Sequence, residues 1–296
     1  MNNSTSFVPK NWKVELRRFD RFWFDMIINP LETEKGNSAK LISTIMEERK
    51  NEVEDVLQNK FVYYICSRKK IRFNINKAPK YYKNSQSFKF SFIVGQKNKD
   101  SFLIRFLDEK GEYCKPEFLI DEKYITIIYP SNYKTTYPVH EFLESFKANL
   151  GISSKVEYVG YTKNPDTRPL KGHDGLVSVL HNIDTKNSDI MIYYNTFRIV
   201  DANDYREIEG LSIEDKYQLI EKCLIKYFDS DNQNKNRVNE TGFARNIFYN
   251  NSISTIEFYL EHSNVTDYTS FYSSKILPSS VHRFKAIFDD DQINIA

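Results

Sequence analysis

Three residue types able to handle phosphate follow one short predicted strand. The segment Val156–Thr162 predicts a strand that stops near a glycine, Gly160, and carries Tyr158. Arg168 and His173 follow in the next 13 residues. A guanidinium binds phosphate oxygens as a planar fork, a phenol orients water, and an imidazole accepts a proton near neutral pH. These residue types favour phosphate chemistry, although a tyrosine on a strand commonly serves packing.

A second candidate cluster begins 48 residues after His173. Glu221 falls on a predicted helix, Ser212–Phe228, at the edge of its apolar stripe, where a carboxylate either lies on the surface or faces a cleft. Asn232 and Asn234 follow in an Asp/Asn-rich segment, where turn formation is the ordinary role. Hydrolysis of a phosphodiester needs a positioned water and stabilisation of the developing charge. A glutamate that binds a hard cation such as Mg²⁺ supplies that stabilisation, so Glu221 is the predicted metal ligand.

The order and spacing of these residues resemble the GIY-YIG nuclease family. In that family a Tyr-Ile-Gly strand is followed about eight positions later by an Arg and often by a His, then by a helix with a Glu and by an Asn. This chain has Tyr158-Val159-Gly160 and a matching series beyond it. The matching series consists of Arg168, His173, Glu221, and Asn232 or Asn234. The resemblance covers roughly residues 155–236.

The resemblance implies a metal-dependent endonuclease that hydrolyses DNA, with RNA not excluded as the substrate. It implies that Glu221 holds Mg²⁺ or Mn²⁺ and that Arg168 clamps the scissile phosphate. Tyr158 and His173 would position or activate water, and Asn234 would support the site. The fold it implies is a small mixed sheet flanked by helices, preceded here by a strand-rich N-terminal region.

Two departures from the family pattern carry their own expectations. No Gly-Ile-Tyr stands about ten residues before Tyr158, so the family's first strand is missing, disguised or supplied from elsewhere. The candidate for a strand from elsewhere is Ile125–Tyr129, with Tyr124 or Tyr129 in place of the family's tyrosine. Arg168 precedes Pro169, and a residue before proline disfavours the helical conformation. We therefore expect Arg168 just before a helix, with Pro169 at its first position.

Positive charge is concentrated in the first half of the chain. Ten basic residues and one acidic residue lie between Phe61 and Asp100, although the whole chain carries only +2. Aromatic residues are interleaved with the charges, which is typical of surfaces that follow a phosphate backbone and offer rings to bases. A solvated face of a lysine-rich protein is the alternative. The predicted nucleic-acid contacts are Arg68, Lys69, Lys70, Arg72, Lys80 and Lys83.

The pattern of apolar residues predicts an α+β protein with two regions, 1–150 and 151–296. The first is expected to hold two helices, Ser38–Asn59 and Pro138–Leu150, around a set of strands. Those strands are Phe61–Ile65, Ile71–Ile75, Phe88–Val94, Phe102–Phe106 and Ile125–Tyr129. In the second region, strands and helices alternate. Its predicted elements are Val156–Thr162, the helix Gly175–Asn182, Ile190–Val200, the helix Ser212–Phe228, Thr255–Leu260 and His282–Phe288.

Composition narrows the class of protein further. The hydrophobic share of 40% suits a packed core, and no apolar run approaches the ~20 residues that cross a bilayer. Residues 1–9 lack a secretory pattern, and three widely spaced cysteines indicate reduced thiols, so a cytoplasmic protein without a membrane partner is expected. A role in restriction, defence or mobile-element biology would suit a nuclease. Two other classes stay open: a catalytically inactive nucleic-acid-binding protein, and a protein-interaction module of a bacterial defence system.

Overall fold

A computed structural model describes residues 10–28, 60–96, 98–163, 165, 174–229, 247, 253–262, 266–289 and 292–296. The described residues form a strand-rich α+β protein. The strands are β1 (Lys10–Trp23), β2 (Phe61–Lys69), β3 (Ile71–Phe73), β4 (Lys80–Tyr82), β5 (Ser87–Val94), β6 (Asn98–Ile104), β7 (Glu117–Ile120), β8 (Tyr124–Ile128), β9 (Lys134–Pro138), β10 (Ser154–Thr162), β11 (Ser188–Asp201), β12 (Ile253–Glu261), β13 (Phe271–Tyr272), β14 (Val281–Asp289) and β15 (Gln292–Ile295). The helices are α1 (Phe24–Ile28), α2 (Val139–Ser145), α3 (Asp174–Asn182) and α4 (Ile213–Phe228), with a 3₁₀ turn at Asp267–Thr269.

The main sheet has eight strands in the order β13-β10-β2-β11-β1-β12-β14-β15. Its central strand β2 is buried from Phe61 to Arg68, because side chains on both of its faces are covered. Helix α4 packs on one face and helix α3 on the other. Since β1 and β2 lie between strands from beyond residue 150, the main sheet crosses the predicted boundary between residues 150 and 151.

Two smaller sheets lie between β2 and β10 in the chain. In the first, β5 is central, with β3 and β4 along one side and β6 along the other. The second has the order β7-β8-β9. The aromatic inner face of β5 packs against helix α2, for example Phe90 against Phe142 at 5.1 Å between ring centroids. The small sheets therefore share one core with the main sheet.

Local signals account for helix α4, which confirms the predicted helix and its cap. Ser212 is the N-cap, and its Oγ accepts a hydrogen bond from the backbone N–H of Asp215. The helix ends at Asp229, whose backbone is left-handed with φ 42°. Of the other predicted helices, α2 is shorter than Pro138–Leu150, since it ends at Ser145 and the chain reverses at Lys147 with φ 53°. The predicted helix Ser38–Asn59 lies outside the described residues.

Strand β1 is absent from the predicted elements, and its irregular register explains why. Its pairing with β11 shifts between Leu16 and Arg18. Before this bulge the even-numbered side chains Trp12 and Val14 face the core, and after it the odd-numbered Trp23 does so. A bulge inserts one residue and reverses the alternation of the strand, which hides the period of two in the sequence.

Candidate functional site

The predicted Tyr158–Gly160 strand is β10, and its neighbour β2 brings a second tyrosine to it. Gly160 stands opposite Tyr63 across the antiparallel pair. The rings of Tyr63 and Tyr158 stack with centroids 6.0 Å apart. A Cβ at Gly160 would lie 2.6 Å from the Tyr63 ring, so only a glycine allows both rings to close over the backbone here. The predicted candidate for this neighbouring strand was wrong, since Ile125–Tyr129 lies mostly in β8 and pairs with β7 and β9.

The two tyrosines lie in a buried cluster under helix α3. Tyr63 is 4% exposed and Tyr158 is 5% exposed. Leu176 and Val179 of α3 pack on the same face of the sheet, and Tyr194 of β11 lies beside Tyr63 at 6.0 Å between ring centroids. The hydroxyl of Tyr194 donates a hydrogen bond to the backbone oxygen of Pro165 at 3.0 Å. This hydrogen bond holds Pro165 against the tyrosine face.

Glu221 reaches the same strand from the other side of the sheet. Helix α4 packs on the opposite face, and the Glu221 Oε1 atom accepts a hydrogen bond from the backbone N–H of Tyr161 at 2.8 Å. In the described structure β13 pairs only with the first two residues of β10, so this amide lies on the open edge of the strand. Glu221 is half-buried at that edge. The fold therefore brings Glu221 next to Gly160, although 61 residues separate them in the sequence.

The edge beside Gly160 is acidic. Burial, followed by the nearby carboxylates of Glu214, Glu221 and Asp215, raises the pKa of Tyr161 far above its ordinary value, so this phenol stays protonated. Glu214 forms an ion pair with Lys163 at 2.5 Å, and that lysine lowers the pKa of Glu214. Among the residues that the structure describes, no group of three or more His, Cys, Asp or Glu could hold a metal. A single carboxylate still suits Mg²⁺, which keeps several waters and takes phosphate oxygens as further ligands.

Four of the predicted site residues cannot be placed against this geometry. Arg168, His173, Asn232 and Asn234 lie outside the described residues. Their roles stay predictions.

The predicted basic contacts divide into two groups. Arg68 and Arg72 are not on a nucleic-acid surface. The Arg68 guanidinium is fully buried and pairs with Asp267 at 2.9 Å, while Arg72 binds both carboxylate oxygens of Asp189 at 2.9 and 3.0 Å. A buried cation needs such a partner because water no longer solvates it.

The predicted lysines stay outside that core. Lys69, Lys80 and Lys83 are exposed. Lys70 donates a hydrogen bond to the backbone oxygen of Thr185 at 2.8 Å, which ties its ammonium to the turn before β11. Three of the four predicted lysines thus present their charges to solvent.

A buried polar network that the sequence did not reveal joins the small sheets to the main one. His140 of α2 donates from Nε2 to Asp189 at 3.0 Å and accepts at Nδ1 from the Tyr268 hydroxyl at 2.7 Å, as a neutral imidazole can. Burial lowers the pKa of His140 to about 4. Asp189 also accepts the backbone N–H of Ile71, so one carboxylate links β11, β3 and α2. No local spacing signals these contacts, because the partners lie 49 to 128 residues apart.

Comparison of the chain with protein-family models, with curated proteins and with solved structures gave no match. Within the described ranges, no helix has both the length and the apolar character needed to cross a bilayer.

Proposed function

We propose that this protein is a metal-dependent endonuclease whose site lies at the open edge of β10. The observation that carries the proposal is the hydrogen bond from the Tyr161 N–H to the Glu221 carboxylate. It joins the two sequence clusters that the GIY-YIG resemblance pairs, at the residue that follows Gly160. A substrate phosphate at this edge would lie beside the Glu221 carboxylate.

The neighbouring strand supports the same proposal. This chain lacks the family's first tyrosine shortly before Tyr158 in the sequence. Tyr63 of the neighbouring strand β2 stacks on Tyr158 and stands opposite Gly160. The intervening residues 70–153, with both small sheets, stand between the two strands in the chain. Tyr63 is therefore our candidate for the missing tyrosine of the motif.

In this proposal each side chain has one task. Arg168 holds phosphate oxygens with a charge that persists at every physiological pH. His173 orients the attacking water and accepts its proton near neutral pH. Tyr158 was predicted to share this task, but it is 5% exposed on the face of the sheet opposite Glu221, so its part in the proposal is to pack against β10. Asn234 supports the site by hydrogen bonding. Glu221 would hold Mg²⁺ or Mn²⁺, which would stabilise charge on the phosphoryl and leaving oxygens.

The test compares Glu221→Gln with Glu214→Gln on plasmid and oligonucleotide DNA. Glutamine keeps an oxygen that accepts the Tyr161 N–H but removes the charge, so the strand edge is preserved. We expect Mg²⁺-dependent cleavage by the native protein, its loss with chelator, and a decrease of about a hundredfold or more in Glu221→Gln. Glu214→Gln, on the same helix, should cleave nearly as well as the native protein. Full activity in Glu221→Gln would refute the metal-ligand assignment.

The burial of Tyr63 and Tyr158 favours a second candidate function. Side chains that are about 5% exposed usually serve packing. A protein in which these two tyrosines only pack would bind nucleic acid without cleaving it. Such a protein shows salt-dependent affinity for DNA in chelator and leaves the DNA intact with Mg²⁺ or Mn²⁺. Cleavage by the native protein excludes this candidate.

A further inference from the structure

The outer face of the first small sheet concentrates positive charge. We define the basic face as the outward-pointing side chains of β4, β5 and β6 and of the residues that adjoin these strands. The register places Lys80 opposite Lys89, and Lys89 opposite Leu103. The inner face of the same strands is apolar, with Phe88, Phe90 and Phe92 buried. The basic face comprises Lys80, Tyr82, Lys83, Lys89, Lys99, Leu103 and Arg105.

A like-charged pair lies at the centre of this face. Residues directly opposite in an antiparallel pair have Cβ atoms about 5 Å apart, and like charges there are destabilising. Within the described part of the chain, neither Lys80 nor Lys89 forms an ion pair with a carboxylate. Lysine on an edge strand often serves to prevent aggregation, which would account for Lys80 on β4. It does not account for Lys89, because β5 is the central strand. An anionic partner would relieve the repulsion.

Exposed rings alternate with the cations. The Lys80 ammonium lies 5.4 Å from the centroid of the Tyr82 ring, which is 37% exposed. Arg105 lies over the ring of Tyr113, which is 51% exposed, and donates a hydrogen bond to the backbone oxygen of Ser85. Arg105 thus spans the end of the sheet from the turn after β4 to Tyr113. Cations next to accessible rings suit single-stranded nucleic acid, in which both the phosphates and the unpaired bases are available for contact.

We propose that the basic face docks single-stranded nucleic acid. Lys80, Lys89 and Arg105 contact phosphates, and bases stack on Tyr82. A duplex satisfies the lysines but keeps its bases stacked inside, away from the rings. The docking does not depend on cleavage, because it uses a different sheet from the one that Glu221 of helix α4 contacts.

The experiment measures binding of a labelled 15-nucleotide oligothymidylate by fluorescence anisotropy in chelator, so that no metal-dependent cleavage intervenes. Lys80→Gln/Lys89→Gln is expected to bind roughly tenfold more weakly at low salt, with the slope of log K against log salt smaller by about 1.4, or about 0.7 for each lost phosphate contact. Tyr82→Ala is expected to bind roughly tenfold more weakly through lost stacking.

Matched controls remove the same groups elsewhere on the surface. Lys134→Gln/Lys226→Gln removes two exposed charges, and Tyr133→Ala removes a ring that is 59% exposed. Both controls should bind as the native protein does. Equal affinity and slope in Lys80→Gln/Lys89→Gln and its control would overturn the proposal. Tighter binding of a 15-base-pair duplex than of the oligothymidylate would also overturn it. So would displacement of the labelled oligothymidylate by polyglutamate as effectively as by unlabelled oligothymidylate, because that result would indicate an acidic protein partner. Glu221→Gln should bind normally, so loss of cleavage and loss of docking are separate results.

Discussion

Replacing Gly160 by alanine tests whether the tyrosine pair is locked over the strand. The added methyl would lie 2.6 Å from Cζ and Oη of Tyr63 and 2.7 Å from Cε1 of Tyr158. Unstrained contacts between carbon atoms are about 3.5–4.0 Å, so these atoms must move by roughly 1 Å. Tyr63 is confined between Tyr158 and Tyr194, each 6.0 Å away between ring centroids. Overpacking a core costs about 1–3 kcal/mol, and two confined rings place this variant near 3 kcal/mol.

The assay is urea unfolding followed by circular dichroism. With a slope of about 3 kcal/mol per M, a loss of about 3 kcal/mol lowers the midpoint by roughly 1 M urea. Gly160→Ala/Tyr63→Leu removes the ring that the methyl meets, so the two substitutions together should destabilise less than their sum by at least about 1 kcal/mol. Gly160→Ala within about 0.5 kcal/mol of the native protein, or strict additivity in the double variant, would refute the reasoning.

Two further predictions concern buried ionisable side chains. Asp267 accepts hydrogen bonds from Arg68 and from two backbone amides at 2.8 and 3.0 Å. Asp267→Ala should therefore lower the free energy of unfolding by about 4 kcal/mol in the same assay. A loss below about 1 kcal/mol would contradict this prediction. Burial lowers the pKa of His140 and His282 to about 4 and that of His262 to about 3. As the pH drops, the unfolded chain therefore binds protons at these side chains before the folded protein does. The free energy of unfolding should fall between about pH 6.5 and pH 4, by up to about 1.4 kcal/mol per pH unit for each histidine. His262→Phe should reduce that slope, as measured by urea unfolding at several pH values, and an unchanged slope would show that His262 does not titrate in this way.

Much of the secondary structure follows from local sequence. Helix α4 has a serine cap, a periodic apolar stripe and a polar C-terminal turn, all of which lie within 18 residues of one another. Strand β11 is rich in β-branched and aromatic residues, which suit a strand covered on both faces. Because such signals act between neighbours in the chain, they can be recognised from the sequence alone. By the same means the sequence drew attention to Tyr158, Gly160 and Glu221.

Tertiary structure decided which of these elements meet and which charges are exposed. The strand beside β10 is β2, 85 or more residues earlier, because backbone hydrogen bonds and covered faces select partners without regard to distance along the chain. Arg68 and Arg72 belong to a basic run in the sequence. In the fold, Arg68 pairs with Asp267, 199 residues further along the chain, and Arg72 pairs with Asp189, 117 residues further along. A local count of charges cannot include partners so remote. The sequence by itself therefore determined the candidate residues and the chemistry predicted for them. The fold determined that Glu221 meets the glycine strand, that Arg68 and Arg72 pair with carboxylates of the core, and that the lysines of β4 and β5 face outward.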